Sequence, residues 1–143
     1  MTLLLLLTAC TGEPSGDTAD TADTADTGTP GTVPDVTTFA DLQRQILVPR
    51  CGSSGCHNEA TAAGNLILEG DDAYRTLTED PCDNEEAEAA GLLRVFPGEP
   101  QESFVYLKMT EPDGMGDVMP PWGSLMPSEV TEVARWIEDG AVP

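Results

Sequence analysis

With 143 residues, Asp and Glu 26 against Lys and Arg 6, the chain carries a formal charge of -20. That balance excludes a nucleic-acid-binding role, which needs a basic footprint, and describes a soluble, self-repelling surface that would favour a basic partner. Aromatics at 5% exclude a large aromatic core, and the length suits one domain with appendages.

In chain order, Leu3 to Leu7 form an apolar run that ends in Thr8-Ala9-Cys10. This resembles the end of a bacterial lipoprotein signal. Leu7-Thr8-Ala9-Cys10 matches the lipobox, in which cleavage precedes a cysteine that is then lipidated. The run is too short to span a bilayer, and it lacks the expected basic start, which puts an initiation site further upstream in play. A lipid on Cys10 would anchor the protein to a membrane of the cell envelope, on the periplasmic or cell-surface side. Residues 11–35 follow as a disordered linker. Thr18-Ala19-Asp20 recurs as Thr21-Ala22-Asp23 and Thr24-Ala25-Asp26. With no apolar periodicity, the segment cannot offset its ordering entropy and reads as an extended spacer.

The domain, residues 36–143, is expected to be mostly α, small and helical, with long loops. Phe39, Leu42, Ile46 and Leu47 have helical spacing, with Thr37 or Thr38 as cap and Pro49 ending the helix before Cys51. Leu66-Ile67-Leu68 is a short apolar run. Asp71 or Asp72 caps a small helix through Tyr74 and Leu77, and a further helix fits Glu85 to Ala90. Pro97-Gly98-Glu99-Pro100 is a turn. A helix then fits Gln101 to Met109, packing Phe104 and Leu107 and solvating Lys108. Glu111 to Pro127 is a Gly-, Pro- and Met-rich loop. Val130, Val133, Ala134 and Ile137 mark the last helix, which Gly140 stops.

The chemistry concentrates in Cys51-Gly52-Ser53-Ser54-Gly55-Cys56-His57, where the chain's single histidine directly follows a cysteine pair. The spacing, C-x4-C-H, is a stretched form of the signature for covalent c-type haem attachment. In that chemistry two thiols bond the haem vinyl groups and the adjacent imidazole ligates iron. Two other readings stay open. Cys51 and Cys56, or one of them with Cys82, could form a disulfide in a haem-free surface binding or structural module. Alternatively Cys51, Cys56, His57 and Cys82 could hold zinc, against which oxidising surroundings count. No nucleophile elbow, zinc-protease helix or phosphate loop is present, so an electron carrier is expected, not an enzyme. Glu85, Glu86 and Glu88 read as a solvated helix face.

These residues, in their order, resemble the small cytochrome c-like domains of bacterial lipoproteins and planctomycete-type monohaem cytochromes, from about Thr38 to Ala141. The landmarks are Pro49-Arg50-Cys51, Gly55-Cys56-His57, Ala63-Gly64-Asn65-Leu66, Arg94-Val95-Phe96-Pro97-Gly98 with Pro100 and Ser103, Met119-Pro120-Pro121, and Trp136-Ile137 with Gly140-Ala141. The resemblance implies a helical fold around one covalent haem c and a role in electron transfer to a redox partner protein. Cys51 and Cys56 match the thioether cysteines, His57 the proximal iron ligand and Met119 the distal one. A His/Met pair is an axial set that raises haem potential. Met115 and Met126 share the Met119 loop region, while Met109 reads as core. Trp136 reads as packing. Arg50 and Arg94 are candidates for haem propionates, with surface salt bridges as the alternative.

Overall fold

Thr38 starts the first helix: its Oγ1 accepts the Asp41 N–H at 3.2 Å, an N-cap bond that satisfies one orphan donor of the first turn. The structure is a computed structural model that describes Val36 and Thr38 to Pro143. The leucine run, Cys10, the 11–35 linker and the alternative cap Thr37 lie outside the described residues.

Helix α1 (Phe39–Leu42) passes into a π-helical stretch, Gln43–Leu47, and then into α2 (Val48–Cys51). Pro49 therefore does not end the helix, contrary to expectation. Directly before it the Val48 N–H reaches back five residues to Gln43 O. This wide turn shifts the preceding carbonyls out of the path of the proline ring, which has no N–H to satisfy. The same stretch decides where Cys51 points. In a regular helix, at about 100° per residue, Cys51 would lie about half a turn away from Leu42. One extra residue in the wide turn brings it back by about 100°, to the core side. Leu42 and Cys51 are both buried accordingly. Gln43 Nε2 then ties the wide turn to Gly70 O at 2.8 Å.

Four more helices complete the domain: α3 (Ala73–Thr78), α4 (Glu85–Ala89), α5 (Phe104–Met109) and α6 (Pro127–Glu138), with 3-10 turns at Ala63–Asn65 and Pro100–Glu102. Asp72 stands at the N-cap of α3 without a side-chain capping bond, its carboxylate turned to Arg75 instead, whereas Asn84 caps α4 by accepting the Ala87 N–H at 2.8 Å. Glu85, Glu86 and Glu88 are exposed, as a solvated face should be. The helix expected over Gln101 to Met109 is broken at Ser103. That residue is fully buried and extended. Its Oγ accepts the Phe96 N–H at 2.8 Å and donates to Glu99 O at 3.0 Å, so the side chain serves the Pro97–Pro100 turn and not a helix. Among the described residues an isolated parallel bridge, Leu93 to Ser103, is the β pairing present. The domain is mostly α with long loops.

The core joins Phe39, Leu42, Ile46 and Leu47 to Leu68, Leu77, Val95, Val133, Trp136 and Ile137. Phe39 stands edge-on to Tyr74, 5.1 Å between ring centres, and lies 5.5 Å from Trp136, distances at which aromatic pairs add to area burial. Trp136 thus packs, as its sequence position suggests. Its Nε1–H donates to Val142 O at 2.8 Å, and Tyr74 OH to Ala141 O at 2.9 Å, so the C-terminal tail is sewn to the aromatic trio. Gly140 does stop α6. The Gly140 N–H reaches Ile137 O and the Ala141 N–H reaches Trp136 O, the paired bonds of a Schellman end. The turn after Val95 is fastened to the same helix through Gly98 N–H to Ile137 O at 2.7 Å.

Ile137 is fully buried at this junction. Ile137→Ala is expected to destabilise the domain by about 2–5 kcal/mol, read as a lower urea midpoint with an unchanged denaturant slope. A change below about 0.5 kcal/mol would contradict the packing described.

Candidate functional site

Cys51 ends α2, and the four residues after it close a tight loop. Cys56 N–H donates to Ser53 O at 3.0 Å and His57 N–H to Cys51 O at 3.1 Å. Asn58 Nδ2 adds a second bond to Ser53 O at 3.0 Å. Gly55 sits at φ +86°, a left-handed conformation that a side chain would strain. This is how the long cysteine spacing is absorbed: the extra residues make a turn, and Cys51, Cys56 and His57 stay at its base.

His57 is half-buried, and its Nδ1 lies 2.8 Å from Ala63 O. A carbonyl only accepts, so Nδ1 carries the proton and Nε2 keeps a lone pair. Burial first, then the charges of Arg94 and Lys108, push the imidazole pKa below its ordinary value, against the hydrogen bonds to Ala63 and Leu66. At neutral pH the ring is therefore neutral, with Nε2 in the form that ligates a metal. The loop around it is laced by Ala63 N–H to Cys56 O at 3.1 Å and Leu68 N–H to His57 O at 2.8 Å.

Arg94 is buried and donates to Thr76 O at 2.6 Å and Gly64 O at 2.8 Å. It is thus no surface salt bridge. Its guanidinium holds the 3-10 turn whose first residue, Ala63, accepts the hydrogen bond from His57 Nδ1–H through its carbonyl. Arg50 pairs through Nε with Glu129 Oε1 at 2.7 Å, and the Glu129 side chain is 4% exposed. The other oxygen of Glu129 accepts the Met126 N–H at 2.8 Å. Met126 has no side-chain oxygen, so Glu129 supplies this half of a capping arrangement alone. One carboxylate thereby links the residue before Cys51 to the start of α6.

Cys51, Cys56 and Cys82 are present as thiols. Burial, then Cys56 and Glu129, push Cys51 up to about 11, against the opposing charge of Arg50. At neutral pH Cys51 is a thiol, not the thiolate that attacks other sulfurs. Cys82 is half-buried, its pKa raised chiefly by burial. Among the described residues no three His, Cys, Asp or Glu side chains converge as a metal cluster. The four-ligand set of Cys51, Cys56, His57 and Cys82 is therefore not assembled.

Met119 is half-buried in the loop before α6, with its N–H donating to Lys108 O at 2.6 Å, and a cis bond joins it to Pro120. A cavity of about 520 Å³ opens in that loop, lined by Asp117, Val118, Pro120, Pro121, Gly123 and Ser124. Cys51, Cys56 and His57 do not line it. Met109 packs on the core, while Met126 is 48% exposed. Lys108 connects the two parts of the site. Its backbone holds Met119, its ammonium donates to Met115 O at 3.2 Å, and its charge reaches His57. The sequence spacing assigns Lys108 to solvent and does not mark Glu129 as part of the site, although Glu at the third helical position, with Pro127 at the first, is a helix-start signal.

Removing Arg50 strips the buried Glu129 carboxylate of its counter-charge and leaves it the hydrogen bond from the Met126 amide. Arg50→Ala is expected to cost about 1–3 kcal/mol, measured by urea denaturation. Arg50→Lys should recover only part of it, since one ammonium replaces a directional Nε–H.

Compared with known proteins, the chain matches no family model, no curated protein and no solved structure.

Proposed function

We propose that this chain is a membrane-anchored, extracytoplasmic c-type cytochrome that carries electrons through one covalently held haem. The observation that supports this best is the His57 Nδ1–H bond to Ala63 O beside a cysteine pair. It fixes the tautomer of a neutral imidazole, with the lone pair on Nε2, next to Cys51 and Cys56 on one short loop. That donor chemistry suits a haem, which Cys51 and Cys56 would hold through thioether bonds and which His57 and Met119 would ligate at iron. The bound group would supply a one-electron ferrous–ferric couple.

The chain's own residues would do the rest. Ala63 O holds the imidazole proton, and Arg94 holds the turn that carries Ala63. Met119-Pro120-Pro121 limits the motion of the ligand loop, since proline fixes its own backbone angle. The acid excess would steer a basic redox partner and make association salt-sensitive. The lipobox pattern at Cys10 supports a lipid anchor. Among the described residues no helix is long and apolar enough to cross a membrane.

The test is to make the full chain in a host that attaches haem c. The expected product has a Soret band that survives acid–acetone extraction and an intact mass raised by one haem. A colourless protein with Cys51 joined to Cys56 would overturn the reading in favour of a haem-free surface module. In the coloured protein, Met119→Ala is expected to lower the reduction potential by on the order of a tenth of a volt or more, a fraction of the range that axial ligands set. An unchanged potential would remove Met119 as the distal ligand. Transfer to a basic partner protein should slow as salt rises from about 0.01 M to 0.15 M, because screening shortens the reach of surface charge. A rate indifferent to salt would remove electrostatic steering.

A further inference from the structure

Lys108 stands in the last turn of α5, and its side chain turns into the 115–119 loop, not outward. The ammonium donates to Met115 O at 3.2 Å, while the backbone carbonyl of the same residue accepts the Met119 N–H at 2.6 Å. The seat is close-fitting. A Cβ on Gly116 would lie 3.3 Å from Nζ. Phe104 lies beneath the ammonium, 5.8 Å from ring centre to Nζ, within cation–π range. Asp117 adds a favourable charge. An ammonium has three donors and no acceptor, which suits a seat made of a carbonyl and a ring face.

We propose that Lys108 is a positioning residue for Met119, clasping the 115–119 loop with its carbonyl at one end and its ammonium at the other, so that the thioether is held in place for a ligand bound at His57. The proposal rests on the electron-carrier reading for its purpose, but the clasp itself belongs to the loop. Lys108 touches no reacting group. It acts through the loop, and also contributes positive charge near His57. An apolar side chain of similar length would fill the same space and still leave Met115 O without its donor.

The experiment compares the full chain with Lys108→Met and Lys108→Arg by amide hydrogen exchange without haem and by absorption with it. In Lys108→Met the Met119 amide is expected to exchange about three- to tenfold faster, the effect of losing one hydrogen bond, with Ile137 unchanged. Lys108→Arg, which keeps a cationic donor, should stay within about twofold of the parent. After haem attachment, Lys108→Met should lose much of the thioether–iron charge-transfer absorbance and Lys108→Arg should retain it. The proposal is overturned if Met119 exchange in Lys108→Met stays within twofold of the parent, if Ile137 speeds up equally, or if both variants behave alike. A full charge-transfer band in Lys108→Met overturns it while leaving the electron-carrier reading intact. A parent chain that never takes haem sinks that reading instead, and the exchange comparison still decides whether Lys108 clasps the loop.

Discussion

The bond from His57 Nδ1 to Ala63 O governs what the cysteine loop can do, because it chooses between the two tautomers of an imidazole. A loop histidine without it would present either nitrogen and rotate about its side-chain bonds. With it, the proton is parked on the protein side and the lone pair is left at Nε2. The acceptor is itself held. Ala63 N–H bonds Cys56 O, and the Arg94 guanidinium fastens Gly64 O next door and Thr76 O across the domain. Thr76 in turn donates through Oγ1 to Ile67 O, so the segment after the 3-10 turn is tied to α3. Hydrogen bonds from a charged donor contribute about 1.5–3 kcal/mol each, enough to order a loop that has few apolar contacts of its own.

Much of the helical scaffold could be read from local signals. Thr38 as a cap, the 39–42–46–47 spacing, and the end of α6 at Gly140 are written in neighbouring residues, and the structure keeps them. Two boundaries could not be read that way. Pro49 is a helix breaker by local rule, and only a wide turn reaching from Val48 back to Gln43 lets the helix run on to Cys51. Ser103 looks like an ordinary helical residue until the Pro97–Pro100 turn is folded against it and takes up its hydroxyl. Both differences come from packing that overrides propensity.

At the candidate site the same division holds. A cysteine pair followed by histidine is a contiguous pattern, so Cys51, Cys56 and His57 could be singled out from sequence. The residues that arrange them are distant: Arg94 is 30 positions from Gly64, and Glu129 is 79 from Arg50. Nothing in a linear pattern tells a solvated arginine from one donating to two carbonyls. Lys108 shows the limit most clearly, since amphipathic spacing assigns it to water while a hydrogen-bonding loop several residues on draws it back.

The placement of the cations carries a further consequence. All six basic residues of the chain lie among the described residues. Arg44 and Arg75 join exposed or half-exposed ion pairs within a helix or its flanks, which contribute little, and Arg135 faces the buried Glu132. Arg50 faces the buried Glu129, so its charge is largely cancelled. Arg94 and Lys108 differ: both donate to backbone carbonyls, and both make a positive charge on His57 less favourable. In a chain of net charge -20 these two cations thus set a positive field at His57, opposite in sign to the overall charge. Partly buried charges are screened far less than exposed ones, so salt weakens these two less than it weakens the surface acids. For an electron carrier this sign matters. The reduced state holds one more negative charge than the oxidised one, and nearby cations favour it, in the same direction as a methionine ligand. The acids on the outside would then govern encounter with a partner, and the two inner cations the energy of the electron once it arrives.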